Sequence, residues 1–350
     1  MAFSLPARAL SYALAIFLGS TLLFLLEPIA AKRLLPLLGG SAAVWTTCLV
    51  FFQTALLLGY YVAHLLATRM RPTTQVVQLV LAVAPTLRAN VDRPIISVLW
   101  LLSSLIGLPF VTLSATSPLL QAWFARSSPG GRGDAYRLFA ISNIGSIVAL
   151  LGYPWLIEPR LTVRAQTILV ISVLIMQAIL TGVIGASVRN AREVGDATAS
   201  GESAGVPAAT RVLWVGLAAC ASLLLAATTT HISQNVVALP LIWIVPLVAY
   251  LLSFVVAFSA RRWLPRWLVV GLAIVGLIGS APLLYREVFN IPILPATAAF
   301  CIALFFLCLF LHSELYDRRP APDHLVRGGG RRARRRAGRH RCPAGVAGQL

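Results

Sequence analysis

The sequence predicts an all-α fold, a polytopic transmembrane helix bundle of about ten helices. Three observations carry that expectation. Apolar residues make up 58% of the 350 residues and charged residues only 11%, where a soluble domain carries about a quarter. The mean hydropathy is +0.84. Runs of about 20 apolar residues, enough for a helix to cross the hydrocarbon core, recur along the whole chain. Together these exclude an ordinary soluble enzyme, a disordered chain and a nucleic-acid-binding domain.

The runs fall at about 10–31, 42–66, 74–90, 95–125, 136–158, 161–186, 211–230, 236–260, 264–285 and 291–312. Arg8 gives the first run the basic flank of a signal peptide, but its length, Glu27, Pro28 and the runs that follow favour a span. Pro85 and Arg88 shorten the third run, and the fourth is long enough to bend or break. Residues 187–210 are small, polar and flexible in composition, and read as a cytoplasmic linker. The expected organisation is therefore a six-helix first half at 1–186, the linker at 187–210, a partial second half of about four helices at 211–312, and a basic tail at 313–350. Within that tail the stretch after Leu325 lacks apolar periodicity and reads as disordered.

The net charge of +18 is uneven. The tail holds 10 Arg against 3 acids, and the rest of the chain 19 Lys and Arg against 8 acids. With the N-terminus inside, the inner loops carry 12 Lys and Arg and the outer loops 7. That bias places both termini of a multi-pass protein in the cytoplasm. The five cysteines form no C-x-x-C pair, and four lie inside apolar runs. They read as small buried hydrophobes rather than as a disulfide framework or a zinc site.

An ionisable group in hydrocarbon costs at least ~2.5 kcal/mol on insertion scales, so each such group needs a reason. Glu27 lies near the end of the first run, just before Pro28, Lys32 and Arg33. It reads either as a carboxylate facing a cavity, where it meets a cation or a proton, or as a headgroup-level partner of Lys32 or Arg33. Gln53 and, beside Tyr60 and Tyr61, His64 are the polar groups of the second run. Pro109 and Pro118 interrupt the fourth run, and Thr112, Ser114, Thr116, Ser117 and Gln121 are at hand to satisfy the freed carbonyls. Broken helices line many transport sites, although prolines also occur in purely structural spans. In the fifth run Ser142, Gly145 and Ser146 allow close packing, and Asn143 can bond across a helix interface. The block containing His231, Gln234 and Asn235 is either a short loop capping the eighth helix or the polar mouth of a cavity. His312 and Glu314 stand where the tenth run leaves the membrane, with Arg318 four residues after Glu314.

No soluble catalytic machinery is visible: there is no P-loop, no dinucleotide fingerprint, no nucleophile elbow and no H-E-x-x-H helix. No catalytic residue, metal or cofactor is expected.

Five blocks carry a resemblance. They are LLEPIAAKRLLPLLGGSAAVWTTCLVFFQTALLLGYYVAHLL at 25–66, LPFVTLSATSPLLQAWFA at 108–125, YRLFAISNIGSIVALLGYPWLIEP at 136–159, THISQNVVALPLIWIVPLVAYLLSF at 230–254 and HSELYDRRPAPDHL at 312–325. In this order they resemble the membrane half of the bacterial fused transporter-like/spermidine synthase-like proteins, over roughly residues 10–325. The resemblance implies a major-facilitator-like helical bundle followed by a soluble aminopropyltransferase domain that uses decarboxylated S-adenosylmethionine. The chain departs from the family after Leu325, so no synthase residue carries over, and a truncated or frameshifted form is the expectation. Three functions follow. The first is a non-enzymatic membrane module that carries a small polar or cationic, polyamine-like solute. The second is a membrane-anchor remnant of the fusion, and the third a helical scaffold for a membrane-protein partner. The expected partners are the lipid bilayer, the cationic solute and that membrane protein, with no specific nucleic acid.

Overall fold

A computed structural model of the chain describes residues 7–38, 42–69, 94–127, 131–192, 207–236, 242–259, 264–284 and 292–318. Among these residues every regular element is helical and no strand occurs. In lipid, backbone groups have no water to bond, so apolar runs of this length close their hydrogen bonds internally as helices. The helices are α1 (Ala7–Leu38), α2 (Ala42–Arg69), α3 (Pro94–Leu102), α4 (Leu108–Ser127), α5 (Gly131–Gly152), α6 (Val163–Arg192), α7 (Ala208–His231), α8 (Ile244–Phe258), α9 (Arg266–Leu283) and α10 (Ile293–Asp317). Seven spans among them are long and apolar enough to cross a membrane, and α8 is a shorter apolar helix.

Prolines mark the entries to the second half. Pro207, Pro265 and Pro292 cap the N-termini of α7, α9 and α10, each with φ between −52° and −67°. The ring fixes that angle in advance, and the missing N–H is one the first turn could not have used.

Several expected boundaries shift. The first helix does not stop at residue 31 but runs past Pro28 to Leu38. The fourth run is α3 and α4 joined by a π-turn, Ser103–Gly107, placed just before Pro109. Widening the preceding turn absorbs the proline, and the chain stays helical through Pro118. The expected re-bonding does not take that form. Thr112 Oγ1 bonds the carbonyls of Leu108 (3.0 Å) and Pro109 (2.9 Å), Thr116 that of Thr112 (2.8 Å) and Ser114 that of Val111 (2.9 Å). The carbonyls freed by Pro109 and Pro118 belong to other residues. In the block around His231, α7 continues through His231 into a further π-turn, Ile232–Val236, and the rest of the block lies outside the described residues. The eighth helix accordingly starts at Ile244 rather than near 236. The linker is shorter than expected, because α6 extends to Arg192 and α7 begins at Ala208. The third run, most of the linker and the chain after Arg318 lie outside the described residues.

α1 is the central post of the first half, packed on α5, α4 and α6. It runs parallel to α5. Ser20 Oγ meets Ser142 Oγ at 2.8 Å, Thr21 Oγ1 donates to the Gly145 carbonyl at 3.1 Å, and Lys32 Nζ pairs with Glu158 at 3.0 Å. Gly145 permits the close approach: a Cβ there would stand 2.6 Å from the Phe17 carbonyl oxygen. Gly59 does the same between α2 and α4, where a Cβ would overlap Ser114. α10 is the post of the second half, packed on α9, α8 and α7.

The halves join where α5 meets α8. Leu150 packs with Trp243, Ile244 and Leu251, and Phe24 and Leu49 reach the same cluster from α1 and α2. Phe139 of α5 adds ring contacts with Phe254 at 5.3 Å and Phe258 at 5.0 Å. Outward faces carry exposed large apolar residues on several helices, among them Ile179, Leu223 and Ile278. A surface this apolar suits lipid and would drive association in water. Cys48, Cys301 and Cys308 are buried free thiols as expected, whereas Cys220 is exposed on α7.

Candidate functional site

On a helix, residues seven apart return to one face. Ser20 and Glu27 therefore share a face of α1, with Phe24 beside them. That face turns inward: Ser20 is bonded to Ser142, and Phe24 belongs to the cluster joining the two halves. Glu27 is 7% exposed. Neither basic neighbour is its partner. Lys32 is engaged by Glu158, and Arg33 Nη2 donates to Thr167 Oγ1 on α6. Among the described residues Glu27 has no ion pair, and the headgroup-pair reading does not hold.

A polar seam runs below it. Ser117 Oγ donates to Ser142 Oγ at 3.2 Å, and Gln121 Nε2 to Ser117 Oγ at 3.2 Å. With Ser20 this links α1, α4 and α5. Such bonds contribute about 0.6 kcal/mol each in a membrane. Asn143 is buried, but its Nδ2 donates to the Phe139 carbonyl of its own helix at 2.8 Å. Among the described residues the side-chain bonds across the interface are made by Ser142, while Asn143 bonds within its own helix.

On α2, Gln53 and Tyr60 are also seven apart, and both are exposed. Tyr60 is 44% exposed. Tyr250 reaches towards α7, where its hydroxyl is 3.5 Å from Ser222.

Behind Tyr250 lies His312, 1% exposed. Its ring stacks on Phe254 at 3.6 Å and 17°, and meets Tyr250 edge-on at 5.2 Å. Its Nδ1 is 2.9 Å from Ser253 Oγ, and Ser253 Oγ is 2.6 Å from the Tyr250 carbonyl. Glu314, two residues on, is occupied. Arg266 of α9 reaches one of its oxygens at 2.6 Å, and Arg318 reaches the other through Nε at 3.1 Å and Nη2 at 3.0 Å. Arg318 was legible from the four-residue spacing, but Arg266 and Ser253 carry no sequence signal linking them to α10.

The remaining expected residues lie apart. His231 packs edge-on against Phe300 at 4.8 Å. Gln234 is exposed and Asn235 lies in the π-turn Ile232–Val236. Pro109 opens α4 and Pro118 lies within it. The structure thus places Glu27 on the inner face of the first half and His312 at the α8–α10 contact of the second. No group of three or more His, Cys, Asp or Glu suited to a metal occurs among the described residues.

No family model, curated protein or solved structure matches the chain.

Proposed function

We propose that the chain is a multi-pass membrane carrier module for a small cationic solute, with Glu27 as the carboxylate the solute meets. The observation that carries the reading is Glu27 itself. A carboxylate buried in an apolar helix is costly unless it takes up a proton or something of opposite charge reaches it, and its two basic neighbours are committed elsewhere. The described Lys and Arg side chains support a cation rather than an anion. Lys32, Arg33, Arg137, Arg160, Arg164, Arg211, Arg266 and Arg318 lie near helix ends. The polar groups paired across helix contacts, Ser20 with Ser142 and Tyr250 with Ser222, are instead neutral. The reading puts the path beside Tyr60, which is exposed on α2.

The finer picture comes from the resemblance to the membrane half of the spermidine synthase-like fusions. It favours a major-facilitator-like bundle of about ten helices in the bacterial inner membrane, both termini cytoplasmic, and a polyamine as the solute. Uptake of labelled spermidine by vesicles containing the purified chain tests this. The reading expects saturable uptake that falls about tenfold or more in Glu27→Gln, the loss of one charge-assisted contact. Equal uptake in the variant removes Glu27 from the path, and no flux in either protein removes the carrier reading.

A further inference from the structure

One corner of the bundle holds more cations than acids. α1 ends there, α5 ends in the π-turn Tyr153–Ile157, and α6 begins. Two contacts hold these ends together: the Lys32–Glu158 pair at 3.0 Å and the bond from Arg33 Nη2 to Thr167 Oγ1. Arg160 lies in the turn between α5 and α6, and Arg164 in the first turn of α6; both are exposed. Lys32 takes the carboxylate of Glu158, and Glu27, buried further back on α1, pairs with none of the cations. The three arginines have neutral acceptors or none. Arg33 bonds the Thr167 hydroxyl, Arg160 donates through Nη1 to the Trp155 carbonyl at 2.7 Å, and Arg164 has no hydrogen bond or ion pair among the described residues. The N-terminus of α6 adds partial charge of the same sign.

The surroundings define the ligand. The membrane-crossing stretches of α1, α5 and α6 stop at this corner, at Leu34, Ile157 and Val163, so the arginines stand at headgroup level. Ile168, Ile171, Ile175 and Ile179 follow Arg164 at helical spacing, which puts all five on one face of α6, and each isoleucine is more than half exposed. An acyl chain lying along that ridge brings its phosphate to Arg164. Trp155, next to Arg160, is 76% exposed, as suits an aromatic at the membrane–water boundary. Guanidinium groups match phosphate oxygens in charge and in geometry. A zwitterionic headgroup brings as much positive charge as negative and leaves the arginines uncompensated, whereas an anionic one offsets them. We propose that Arg160 and Arg164, with Arg33 behind them, bind the headgroup of an anionic phospholipid whose acyl chain lies on the isoleucine face of α6. The site is independent of the carrier reading and needs only that the chain sits in a bilayer.

The test reads Trp155 in the full chain, reconstituted in vesicles of phosphatidylcholine with a minor share of phosphatidylglycerol. One of the two lipids carries bromine near the headgroup end of its acyl chains, which quenches tryptophan on contact. The emission of Trp155 is the difference between wild type and Trp155→Phe. Per mole of lipid, brominated phosphatidylglycerol is expected to quench Trp155 about tenfold more strongly than brominated phosphatidylcholine. Arg160→Gln combined with Arg164→Gln brings the two lipids to near parity, and Arg211→Gln, at the start of α7, leaves the preference as it was. Equal quenching by both lipids in the wild type overturns the proposal, and that comparison decides even if the double variant fails to fold. So does an equal loss in Arg211→Gln, or a preference that survives the double substitution. The arginines after Leu325 are intact in the double variant, so a preference that they produce survives it and counts against the site.

Discussion

Glycines at helix contacts make the sharpest residue-level test of the packing. At Gly145 an added methyl would press on the Phe17 backbone carbonyl at 2.6 Å, which cannot rotate away. At Gly152, on the same helix, it would meet nothing within 4 Å. Overpacking a tight contact costs about 1–3 kcal/mol. Gly145→Ala is therefore expected to lower the thermal midpoint of the detergent-solubilised protein, and Gly152→Ala to leave it unchanged. Equal midpoints would mean that α1 and α5 are not in contact at Phe17. The same scale explains what could be read in advance. Glu27 is visible as an oddity because it is a charge within an apolar run. Its lack of a partner is not visible, because that depends on Lys32 reaching Glu158 and Arg33 reaching Thr167, both far along the chain.

Between helices, charge acts as a staple rather than as a source of bulk stability. Glu314 ties α10 to α9 through Arg266 and caps its own last turn through Arg318, with the carboxylate buried and both guanidinium groups half-exposed or more. Exposed pairs contribute about 1 kcal/mol or less. Arg266→Ala is expected to cost within that range. Glu314→Ala should cost more than either single Arg→Ala change, because it leaves two cations without their acceptor. Chemical denaturation of the three variants would rank them, and a smaller effect for Glu314→Ala would argue against the staple. A second case is the ladder of rings across the halves. Phe139→Ala removes the contacts to Phe254 and Phe258, and is expected to destabilise the protein by about 3 kcal/mol, in the range for a large aromatic truncation. The helices were legible from apolar run length, because lipid leaves the backbone no alternative. Their ends were less so. Apolarity stops at residue 31 while α1 continues to Leu38, and the polar block around His231 stays helical because its backbone bonds are still made within the helix.

For the whole molecule, the pattern is a bundle with two posts, α1 and α10, joined through α5 and α8. Its outward faces carry large apolar residues, while Ser20, Ser142, Ser253 and His312 are paired at helix contacts within it. Composition alone indicates the lipid-facing half of that arrangement. The inward half depends on long-range pairs, such as Ser20 with Ser142 and Ser253 with His312, which no periodicity encodes. The claim on which the account rests is that water and small cations reach this inner face. Tyr60→Cys in a Cys220→Ser background offers the direct measurement, since the other described cysteines are buried. Its rate of modification by a cationic thiol reagent is compared with that by an anionic reagent of the same size, in membranes, with Ile179→Cys as the lipid-facing control. The account predicts that Tyr60→Cys reacts, that it prefers the cationic reagent, and that the preference falls when Glu27→Gln is added. A Tyr60→Cys as inert as Ile179→Cys, or one indifferent to both reagent charge and Glu27, would contradict it.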